Sequence, residues 1–400
     1  MNSKIRKANT HGTIAANVRI LIDYRPALRN RTGVGEFVHN LVTALSRTRP
    51  TGPSHPEVPQ ITAFSSSWKD RLQQNHGLPK NIRTVDQKIP VTLLNLAWHR
   101  ANWPPVELLT GTDYDVVHSP HPLLLPARSA ASVITIHDLD FLDHVDRTSS
   151  EIRRDYQSLV KQHVKRADQV VVPSHYTAIE VERRLGVSAE MISLCWNGAP
   201  DWKPRRQVPR NGHLLFVGTL APRKNIAGLL DAYELLLKRQ QGIPDLIMVG
   251  TKPDELQLST RLQRPPLAGR VRCPGYVDRS TLKALYTDAV LLVMPSFDEG
   301  FGLPVLEAMT IGVPVVSSNR GALPEVLGEA GLLIDPLNST TIAEAITQIL
   351  TDNSLMTQCI TRGIDQAKLF TWKASAEALY AAYEKAIAVH SAKLQRKTTI

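Results

Sequence analysis

Short apolar runs alternate with amphipathic stretches along the chain. Runs rich in β-branched residues predict strands, and apolar residues spaced three and four apart predict the helices between them. In the first half, the predicted strands are residues 18–23, 115–117, 132–136, 169–172 and 191–195, and the predicted helices are residues 36–45 and 176–185. This alternation is typical of βαβ units.

The same alternation restarts after a stretch rich in proline and arginine at residues 199–211. Continuous apolar strands such as residues 214–217 suit parallel sheets that are covered on both faces. We therefore predict an α/β protein with two Rossmann-like, doubly wound domains facing across a cleft. The strands of the second half are residues 213–217, 245–249, 271–277, 289–294, 313–317 and 332–334, with a helix at residues 225–239.

A chain of 400 residues is longer than a single hydrophobic core usually accommodates, which supports two domains. In open α/β sheets, ligands bind beyond the carboxyl ends of the strands, so function is expected in the loops after strands. The predicted boundaries are a mobile basic tail at 1–17, a first Rossmann-like domain at 18–198, a second one at 199–373, a helix at 374–392 packing back on the first domain, and a basic tail at 393–400.

The chain is basic, with 47 Lys and Arg against 37 Asp and Glu. Such a charge attracts polyanions without specificity. Residues 1–200 hold 24 basic and 18 acidic residues and residues 201–400 hold 23 and 19, so neither half is a dedicated basic module. No nucleic-acid partner is expected, whereas peripheral contact with an anionic membrane surface stays open.

Cysteine usage and hydropathy bear on the compartment. Cys195, Cys273 and Cys359 are odd in number and form no CxxC pair, which argues against a disulfide framework and a structural zinc site. No apolar stretch approaches the roughly 18 residues that a membrane span needs, and residues 1–17 lack the apolar middle of a signal peptide. These features predict a cytoplasmic protein, with peripheral association at the inner face of the membrane left open.

Residues 295–309 leave a buried strand and enter a helix, in which Pro304 suits the first position. Glycines let a backbone approach a ligand closely, and the free amides and dipole of a helix N-terminus attract phosphate. The loop residues predicted to bind an anionic ligand are Gly300, Phe301, Gly302 and Leu303.

Two carboxylates flank this anion site. Glu299 lies in the loop and Glu307 about one turn into the helix, and carboxylates bind hydroxyl groups well as acceptors. The alternative for Glu307 is a simple electrostatic interaction with the helix N-terminus. The segment resembles glycosyltransferase family 4, a retaining group with the GT-B fold, whose Glu-x7-Glu signature it matches. The resemblance implies that Glu299 contacts the donor sugar and Glu307 the nucleotide ribose. It also implies that the domain at 18–198 binds the acceptor and the domain at 199–373 the nucleotide-sugar.

A second strand, turn and helix start spans residues 216–225, where Asn225 is a suitable N-cap. Gly218 follows the strand, and Arg223 and Lys224 can together neutralise a diphosphate leaving group. A solvated basic turn is the alternative. The resemblance extends here and implies that this Arg and Lys bind the donor diphosphate.

In the first domain, Gly33 and Gly35 follow the first strand and open a helix, although Val38 replaces the third glycine of a dinucleotide fingerprint. A plain tight turn is the alternative, and the resemblance favours proximity to the diphosphate and acceptor. His137 matches the family's His-Asp motif that lines the sugar pocket, with a core histidine as the alternative. Asp138 and Asp140 spell a DxD that binds metal in another glycosyltransferase architecture, but no metal or other cofactor is expected here.

The acceptor is poorly specified. His118 and His121 close another strand and are predicted to face the acceptor, or else to be plain loop residues. Residues 50–59 and 91–105 are interpreted as acceptor loops, but their sequences do not indicate which acceptor they bind. Trp98 and Trp103 within them could stack on a sugar, dock at a bilayer surface or pack in a core.

Three short motifs, at residues 32–35, 136–139 and 218–225, make the chain similar to bacterial mannosyltransferase-like members of the family. This implies transfer of a hexose, most simply mannose from GDP-mannose, to a hydroxyl of a glycan or lipid-linked glycan in cell-surface polysaccharide or lipopolysaccharide synthesis. UDP-glucose, UDP-GlcNAc and dTDP-rhamnose stay open as donors. A phosphorylase, a nucleotide-sugar epimerase and a non-catalytic polyanion-binding protein are the rival interpretations.

The resemblance also implies a mechanism with retention, in which the acceptor hydroxyl attacks from the face that the diphosphate leaves. Arg223 and Lys224 would hold the departing phosphate, and Glu299 and His137 would orient the sugar. Replacement of Glu299 by alanine is then expected to abolish transfer and leave the fold intact.

Overall fold

The computed structural model describes residues 18–28, 31, 33–50, 59–72, 77–143, 156–251 and 256–398. Chain contacts divide it into two compact units. Unit 1 comprises Met1–Pro173, Ala178–Trp196 and Trp372–Ile400, and unit 2 comprises Ser174–Thr177 and Asn197–Thr371. The predicted tail at residues 1–17 lies outside the described residues.

Unit 1 is built on a seven-stranded parallel sheet with strand order β3-β2-β1-β4-β5-β6-β7. Its described strands are β1 (Arg19–Asp23), β2 (Gln60–Ser66), β3 (Arg83–Gln87), β4 (Val116–Ser119), β5 (Ala131–Thr135), β6 (Gln169–Val172) and β7 (Ile192–Leu194). Its described helices are α1 (Val34–Leu45), α2 (Val91–Ala101), α3 (Val106–Thr110), α4 (Asp140–Asp143), α5 (Tyr156–Arg166), α6 (His175–Leu185, which begins within Ser174–Thr177) and α14 (Trp372–Thr398).

Side chains of β1 show why this sheet is covered on both faces. Successive residues of a strand point to opposite faces. Ile20 and Ile22 pack in the cluster that contains Phe37 of α1, whereas Leu21 packs in a separate cluster with Trp98 of α2. Both faces are therefore apolar, as a doubly wound sheet requires.

The last helix, α14, belongs to unit 1 and contacts α1, β5 and β6. It begins at Trp372 and continues to Thr398, so the interpretation of residues 393–400 as a tail is wrong for the described part of that stretch. The extension is held by side chains, because Nζ of Lys393 lies 2.8 Å from Oδ1 of Asp168 and Nδ1 of His390 lies 3.0 Å from Oδ2. Lys393, predicted to lie in a solvated tail, therefore makes a tertiary contact with Asp168.

Unit 2 contains a six-stranded parallel sheet with order β10-β9-β8-β11-β12-β13. Its described strands are β8 (His213–Val217), β9 (Leu246–Val249), β10 (Val271–Gly275), β11 (Ala289–Met294), β12 (Val315–Ser318) and β13 (Leu332–Ile334). Its described helices are α7 (Ile226–Arg239), α8 (Leu256–Leu262), α9 (Arg279–Thr287), α10 (Leu303–Ile311), α11 (Leu323–Leu327), α12 (Ser339–Thr351) and α13 (Asn353–Ala367).

Each sheet has the doubly wound order in which the strand sequence reverses beside the first strand, and this confirms the predicted fold class. The reversal lies between β1 and β4 in unit 1 and between β8 and β11 in unit 2. A crevice forms at such a point because the connections on its two sides leave in opposite directions. The loops that follow these four strands are therefore the places to search for a site.

Two sequence interpretations are corrected by the fold. Residues 91–105 are not a loop, because α2 occupies Val91–Ala101 and Trp98 is buried in the core with Nε1 donating to the Pro104 carbonyl at 2.9 Å. The boundary also differs from 198/199, since unit 2 starts at Asn197 and takes in Ser174–Thr177. Within the described ranges, every helix is too short or too polar to cross a bilayer.

Candidate functional site

The two loops at the reversal point of unit 2 lie against each other. β8 pairs with β11, so the residues that follow these strands emerge side by side. The amide of Phe297 donates to the carbonyl of Arg223 at 2.8 Å, which ties the two loops together. The segments predicted separately to bind donor sugar and diphosphate are thus one structural site.

The basic pair lies in a short 3-10 turn, Pro222–Lys224, immediately before α7. Asn225 adopts φ 55° and its side-chain oxygen accepts from the Gly228 amide at 3.2 Å, which confirms the predicted N-cap. Its Nδ2 also donates to the Pro336 carbonyl at 2.6 Å. These bonds fix the turn, and with it the direction in which Arg223 and Lys224 leave the backbone.

Glu299 forms a buried ion pair with Lys224, whose Nζ donates to Oε1. The Ser296 hydroxyl donates to the same oxygen at 2.8 Å. Nη1 of Arg223 lies 3.4 Å from Oε2 of Glu299 and donates to the Asp298 carbonyl at 3.1 Å. The side chains of Lys224 and Glu299 are each 8% exposed, so this pair is removed from solvent.

Burial raises the pKa of Glu299, but the charges of Lys224 and Arg223 outweigh it and bring the pKa below its ordinary value. Glu299 is therefore a carboxylate at neutral pH. Two cations against one carboxylate leave the cluster with one net positive charge. The positive charge of the cluster, carried by an ammonium and a planar guanidinium, favours binding of a phosphate beside Glu299.

The start of α10 depends on Gly302, which has φ 107°. A Cβ there would lie 2.7 Å from Cδ2 of Leu323, so both conformation and space require glycine. The helix begins at Leu303, and Pro304 is its second residue, one later than predicted. Phe301 is buried against Phe370 with ring centroids 5.7 Å apart, so only its backbone is available to a ligand.

Glu307 is 6% exposed and its Oε1 accepts from Nη1 of Arg279. The guanidinium of Arg279 in turn lies over the ring of Trp202, 4.3 Å from its centroid. Sequence reasoning missed both partners. The available signal was Asp278, which caps α9 directly after β10 and so places Arg279 at the carboxyl edge of the sheet. Glu307 is therefore held in place by a tertiary ion pair.

Unit 1 places its two predicted donor-binding glycines in different surroundings. Gly33 is exposed, caps α1 with φ 45°, and would meet no atom within 4 Å of an added Cβ. Gly35 is buried, and a Cβ there would lie 2.6 Å from the carbonyl oxygen of Pro26. The close approach that Gly35 permits is thus to the protein's own backbone, and this packing by itself accounts for the glycine.

His118 is fully buried, which contradicts its predicted contact with an acceptor. Nδ1 lies 2.8 Å from the hydroxyl of Tyr383, and Nε2 lies 2.8 Å from that of Thr135. Burial lowers the pKa of His118 to about 3, so the ring is neutral. Both nitrogens are satisfied inside unit 1, and His118 ties α14 to the sheet.

His121 is also engaged within unit 1. Nε2 lies 3.0 Å from Oδ2 of Asp23, and Nδ1 accepts from the Leu123 amide at 3.3 Å. With both ring nitrogens used, the predicted hydrogen bond to an acceptor is not available in this conformation. Burial raises the pKa of Asp23, but Arg25 and His121 bring it well below its ordinary value. The sequence analysis did not identify Asp23 as the centre of this network, although its position as an acidic residue at the end of β1 was a signal for it.

His137 packs edge-on against Phe37, with ring centroids 4.8 Å apart, and Nε2 lies 3.1 Å from the Pro120 carbonyl. Burial lowers its pKa to about 4, so the ring is neutral at pH 7.

The DxD at Asp138 and Asp140 does not lie on a strand end, because β5 ends at Thr135 and Asp140 starts α4. In the described part of the chain, no three His, Cys, Asp or Glu side chains lie close enough to hold a metal ion.

The predicted site residues thus fall into two groups. Those of unit 2, from Gly218 to Glu307, share the reversal point of its sheet. There Glu299 forms ion pairs with Lys224 and Arg223, and Glu307 forms one with Arg279. Those of unit 1 are dispersed: His118 and Gly35 serve packing, His121 serves an internal network, and Gly33 and His137 remain compatible with a ligand.

Comparisons with known proteins agree with this geometry. A family model described as "Glycosyl transferases group 1" matches residues 202–366, and one described as "Glycosyltransferase Family 4" matches residues 31–201. The chain is 32% identical over 381 residues to the O-antigen chain mannosyltransferase B of Escherichia coli, covering 89% of this chain and 97% of that protein.

Two solved structures share the fold. Sucrose-phosphate synthase from Thermosynechococcus elongatus matches with a TM-score of 0.70 at 21% identity, covering 92% of this chain and 98% of its own. WaaG, a glycosyltransferase involved in lipopolysaccharide biosynthesis, matches with a TM-score of 0.67 at 15% identity, covering 91% and 98%. At these identities the likeness concerns the fold alone.

Proposed function

The chain is a glycosyltransferase that belongs to the group 1 glycosyl transferases and has their GT-B fold, and from this we propose that it transfers a hexose from a nucleotide-sugar to a hydroxyl of a glycan or lipid-linked glycan, with retention of configuration. The observation that carries the proposal is the cluster of Arg223, Lys224 and Glu299 at the reversal point of unit 2. Its net positive charge, with Glu307 beyond it, suits a ligand that has a diphosphate and many hydroxyl groups.

We propose GDP-mannose as the donor. The support is the mannosyltransferase name of the E. coli relative and the three short sequence motifs at residues 32–35, 136–139 and 218–225. That relative acts on the O-antigen chain, which favours a role for this chain in cell-surface polysaccharide or lipopolysaccharide synthesis. UDP-glucose, UDP-GlcNAc and dTDP-rhamnose are the alternative donors.

In the proposed reaction, the bond from the sugar C1 to the diphosphate oxygen breaks while the acceptor oxygen bonds to C1 on the same face. The acceptor proton passes to the departing phosphate. Arg223 and Lys224 stabilise the negative charge that develops on the diphosphate, an effect that is strong in a site shielded from water. Glu299 keeps these cations in place and offers its remaining acceptor capacity to a sugar hydroxyl.

We further propose that Glu307 binds the ribose hydroxyls and that the neutral ring of His137 binds a hydroxyl of the transferred sugar through Nδ1. The reaction is proposed to proceed without a metal ion, because the two cations supply the charge that a metal would. We place the protein in the cytoplasm, in peripheral contact with an anionic membrane surface, where a lipid-linked acceptor would be found.

Calorimetry with GDP-mannose and the three alternative donors, without added metal, tests the proposal on the wild type and on Glu307→Ala. Glu344→Ala is the matched control, because Glu344 is exposed on α12. Binding of one donor that weakens about tenfold or more in Glu307→Ala alone is expected from the lost hydroxyl contacts. Binding of no donor, together with salt-sensitive binding to polyanions, would favour the non-catalytic alternative.

Product analysis then separates the enzymatic rivals. Transfer to a glycan acceptor with the α or β configuration of the donor retained supports the proposal. Phosphate-dependent release of a sugar phosphate would indicate a phosphorylase, and conversion of the donor without an acceptor would indicate an epimerase.

A further inference from the structure

Helix α2 of unit 1 exposes large apolar side chains on the face away from the core. Leu93 is 60% exposed, Leu96 is 58% exposed, and Trp103, just after the helix, is 60% exposed. Leu93, Leu96 and Arg100 are spaced three and four apart, so they lie on one stripe of the helix. Leu94 and Trp98 on the opposite stripe are buried in the core. We call Leu93, Leu96, Arg100 and Trp103 the α2 face.

The segment that carries the α2 face and the helix beside it contain basic residues and no acidic ones. Residues 88–106 include Lys88 and Arg100 but neither Asp nor Glu. The adjacent helix α5, Tyr156–Arg166, also lacks acidic residues. It lies beside α2, because the rings of His99 and His163 are 5.9 Å apart. The basic residues on α5 are Lys161, Lys165 and Arg166, all of them exposed.

We propose that the α2 face docks on an anionic lipid membrane. Apolar side chains with an interfacial tryptophan enter the headgroup boundary, and flanking cations bind anionic headgroups. A second copy of this chain is a poorer occupant, because a symmetric dimer through this face would bring two groups of like charges together. The proposal names the surface for the peripheral contact proposed above.

The experiment is cosedimentation with vesicles of phosphatidylcholine alone and of phosphatidylcholine mixed with phosphatidylglycerol. The variant is Leu93→Ser with Leu96→Ser, and the matched control is Leu337→Ser with Leu369→Ser, two leucines of unit 2 that are 74% and 62% exposed. Wild type and control are expected to bind the anionic vesicles, with binding of the α2 variant reduced about tenfold or more.

Equal binding by the α2 variant, or no vesicle binding by the wild type, would overturn the proposal. So would a concentration-dependent dimer that the α2 variant abolishes. Vesicle binding needs neither donor nor turnover, so this result is independent of whether the glycosyl transfer proposed above is found.

A separate observation concerns the segment Ser174–Thr177, whose side chains hold the loop after β11. The Ser174 hydroxyl donates to the Gly300 carbonyl at 2.7 Å, and the Thr177 hydroxyl donates to it at 3.1 Å. The Thr177 amide donates to the Ser174 hydroxyl at 3.0 Å. Both side chains are buried, with exposures of 0% and 1%. The neighbouring carbonyl of Glu299 accepts from the Ala322 amide at 2.9 Å.

Carbonyl and amide of one trans peptide point in opposite directions. When Ser174 and Thr177 fix the Gly300 carbonyl, they also fix the direction of the Phe301 amide, at the N-terminal side of α10. The Glu299 carbonyl fixes the Gly300 amide in the same way. The loop that presents Glu299 and these amides is therefore oriented by hydroxyls far away in the chain.

We infer that Ser174 and Thr177 are positioning residues for the donor, acting through Gly300. The inference rests on the proposed function of the same loop. Loss of one hydroxyl should let the peptide rotate and misplace both Glu299 and the amides.

The variants are Ser174→Ala and Thr177→Val, with Thr177→Ser as the conservative variant that keeps the hydroxyl. Thr310→Val is the matched control, because the Thr310 hydroxyl donates to the Leu306 carbonyl inside α10 and not to the loop. We expect Ser174→Ala and Thr177→Val to raise the donor KM and lower kcat, for a combined loss in kcat/KM of about tenfold. Thr177→Ser and Thr310→Val should stay near the wild type, and the acceptor KM should not change.

An unchanged donor kcat/KM in both hydroxyl-deleted variants of an active wild type would overturn this inference and leave the proposed function intact. A loss of activity that Thr177→Ser and Thr310→Val share equally would indicate general destabilisation and overturn it as well. If the wild type transfers no sugar from any donor, that result would instead contradict the proposed function.

Discussion

Lys224 and Glu299 are 75 positions apart in the chain and form a buried ion pair between the loops that follow β8 and β11. The pair joins the two motifs that the sequence associates with donor binding. It also gives Glu299 a structural role that the sequence did not indicate.

Single substitutions of this pair should destabilise unit 2, because Glu299→Gln removes the carboxylate beside the buried charge of Lys224, and Lys224→Met leaves Glu299 with only the more distant cation of Arg223. We expect Lys224→Met and Glu299→Gln each to lower the free energy of unfolding by about 3 kcal/mol, and to abolish most transfer activity. The double variant Lys224→Met with Glu299→Gln should cost clearly less than the sum. Urea denaturation of the three proteins measures this coupling, and strictly additive losses would contradict it.

This expectation replaces the simpler prediction for Glu299→Ala. That substitution should still abolish transfer, but it should also reduce stability, because it leaves Lys224 buried without its partner. Activity assays of any Glu299 variant therefore need a parallel unfolding curve. Circular dichroism at the assay temperature shows whether the inactive variant is folded.

Gly302→Ala should destabilise the loop more than an ordinary glycine substitution does. Gly302 combines φ 107° with a Cβ position 2.7 Å from Leu323, whereas Gly242 has φ 77° and open space around it. Gly242→Ala should cost about 1 kcal/mol from backbone strain alone. We expect Gly302→Ala to cost about 2 kcal/mol more and to weaken donor binding. Thermal unfolding of both variants measures the difference, and equal costs would show that the contact with Leu323 relaxes freely.

Unit 1 should lose stability in acid before its carboxylates are protonated. Burial lowers the pKa of His118 to about 3, and lowers the pKa values of His99, His137 and His163 to about 4, from an ordinary value of 6.5. Between these values the unfolded chain binds more protons than the folded one. Stability is therefore complete above about pH 6.5 and falls as the pH decreases, by about 1 kcal/mol per pH unit for each histidine.

Urea unfolding at a series of pH values from neutral to acid measures this slope. His163→Gln is the informative variant, because it removes one titrating group and should flatten the curve. A stability that does not change across this interval would show that the histidines are protonated in the folded state.

His118 should matter for stability and not for the acceptor. Replacement by phenylalanine leaves the hydroxyls of Tyr383 and Thr135 without their shared partner, and we expect a loss of about 2 kcal/mol in the free energy of unfolding. The acceptor KM of the folded variant should equal that of the wild type. A large rise in acceptor KM at unchanged stability would restore the contact that the sequence suggested.

The sequence by itself determined the fold class, most strand positions and the segments that form the candidate site of unit 2. The apolar runs of β8 and β11 and the N-cap at Asn225 are local signals. Each can be recognised from a few consecutive residues, because strand formation and helix capping depend on neighbours in the chain. The glycine and carboxylate pattern from Glu299 to Glu307 is likewise local.

Only the tertiary structure decided which side chains meet. Three sets of contacts join residues from different strand connections: the Lys224–Glu299 ion pair, the Arg279–Glu307 ion pair, and the hydrogen bonds from Ser174 and Thr177 to Gly300. The spacing of these residues along the chain does not predict the contacts. The same reason explains the error at His118, which lies at the end of a strand in a motif that looks functional, yet packs against Tyr383 of α14. Strand order places distant loops together, and burial then decides whether a polar residue serves a ligand or the fold.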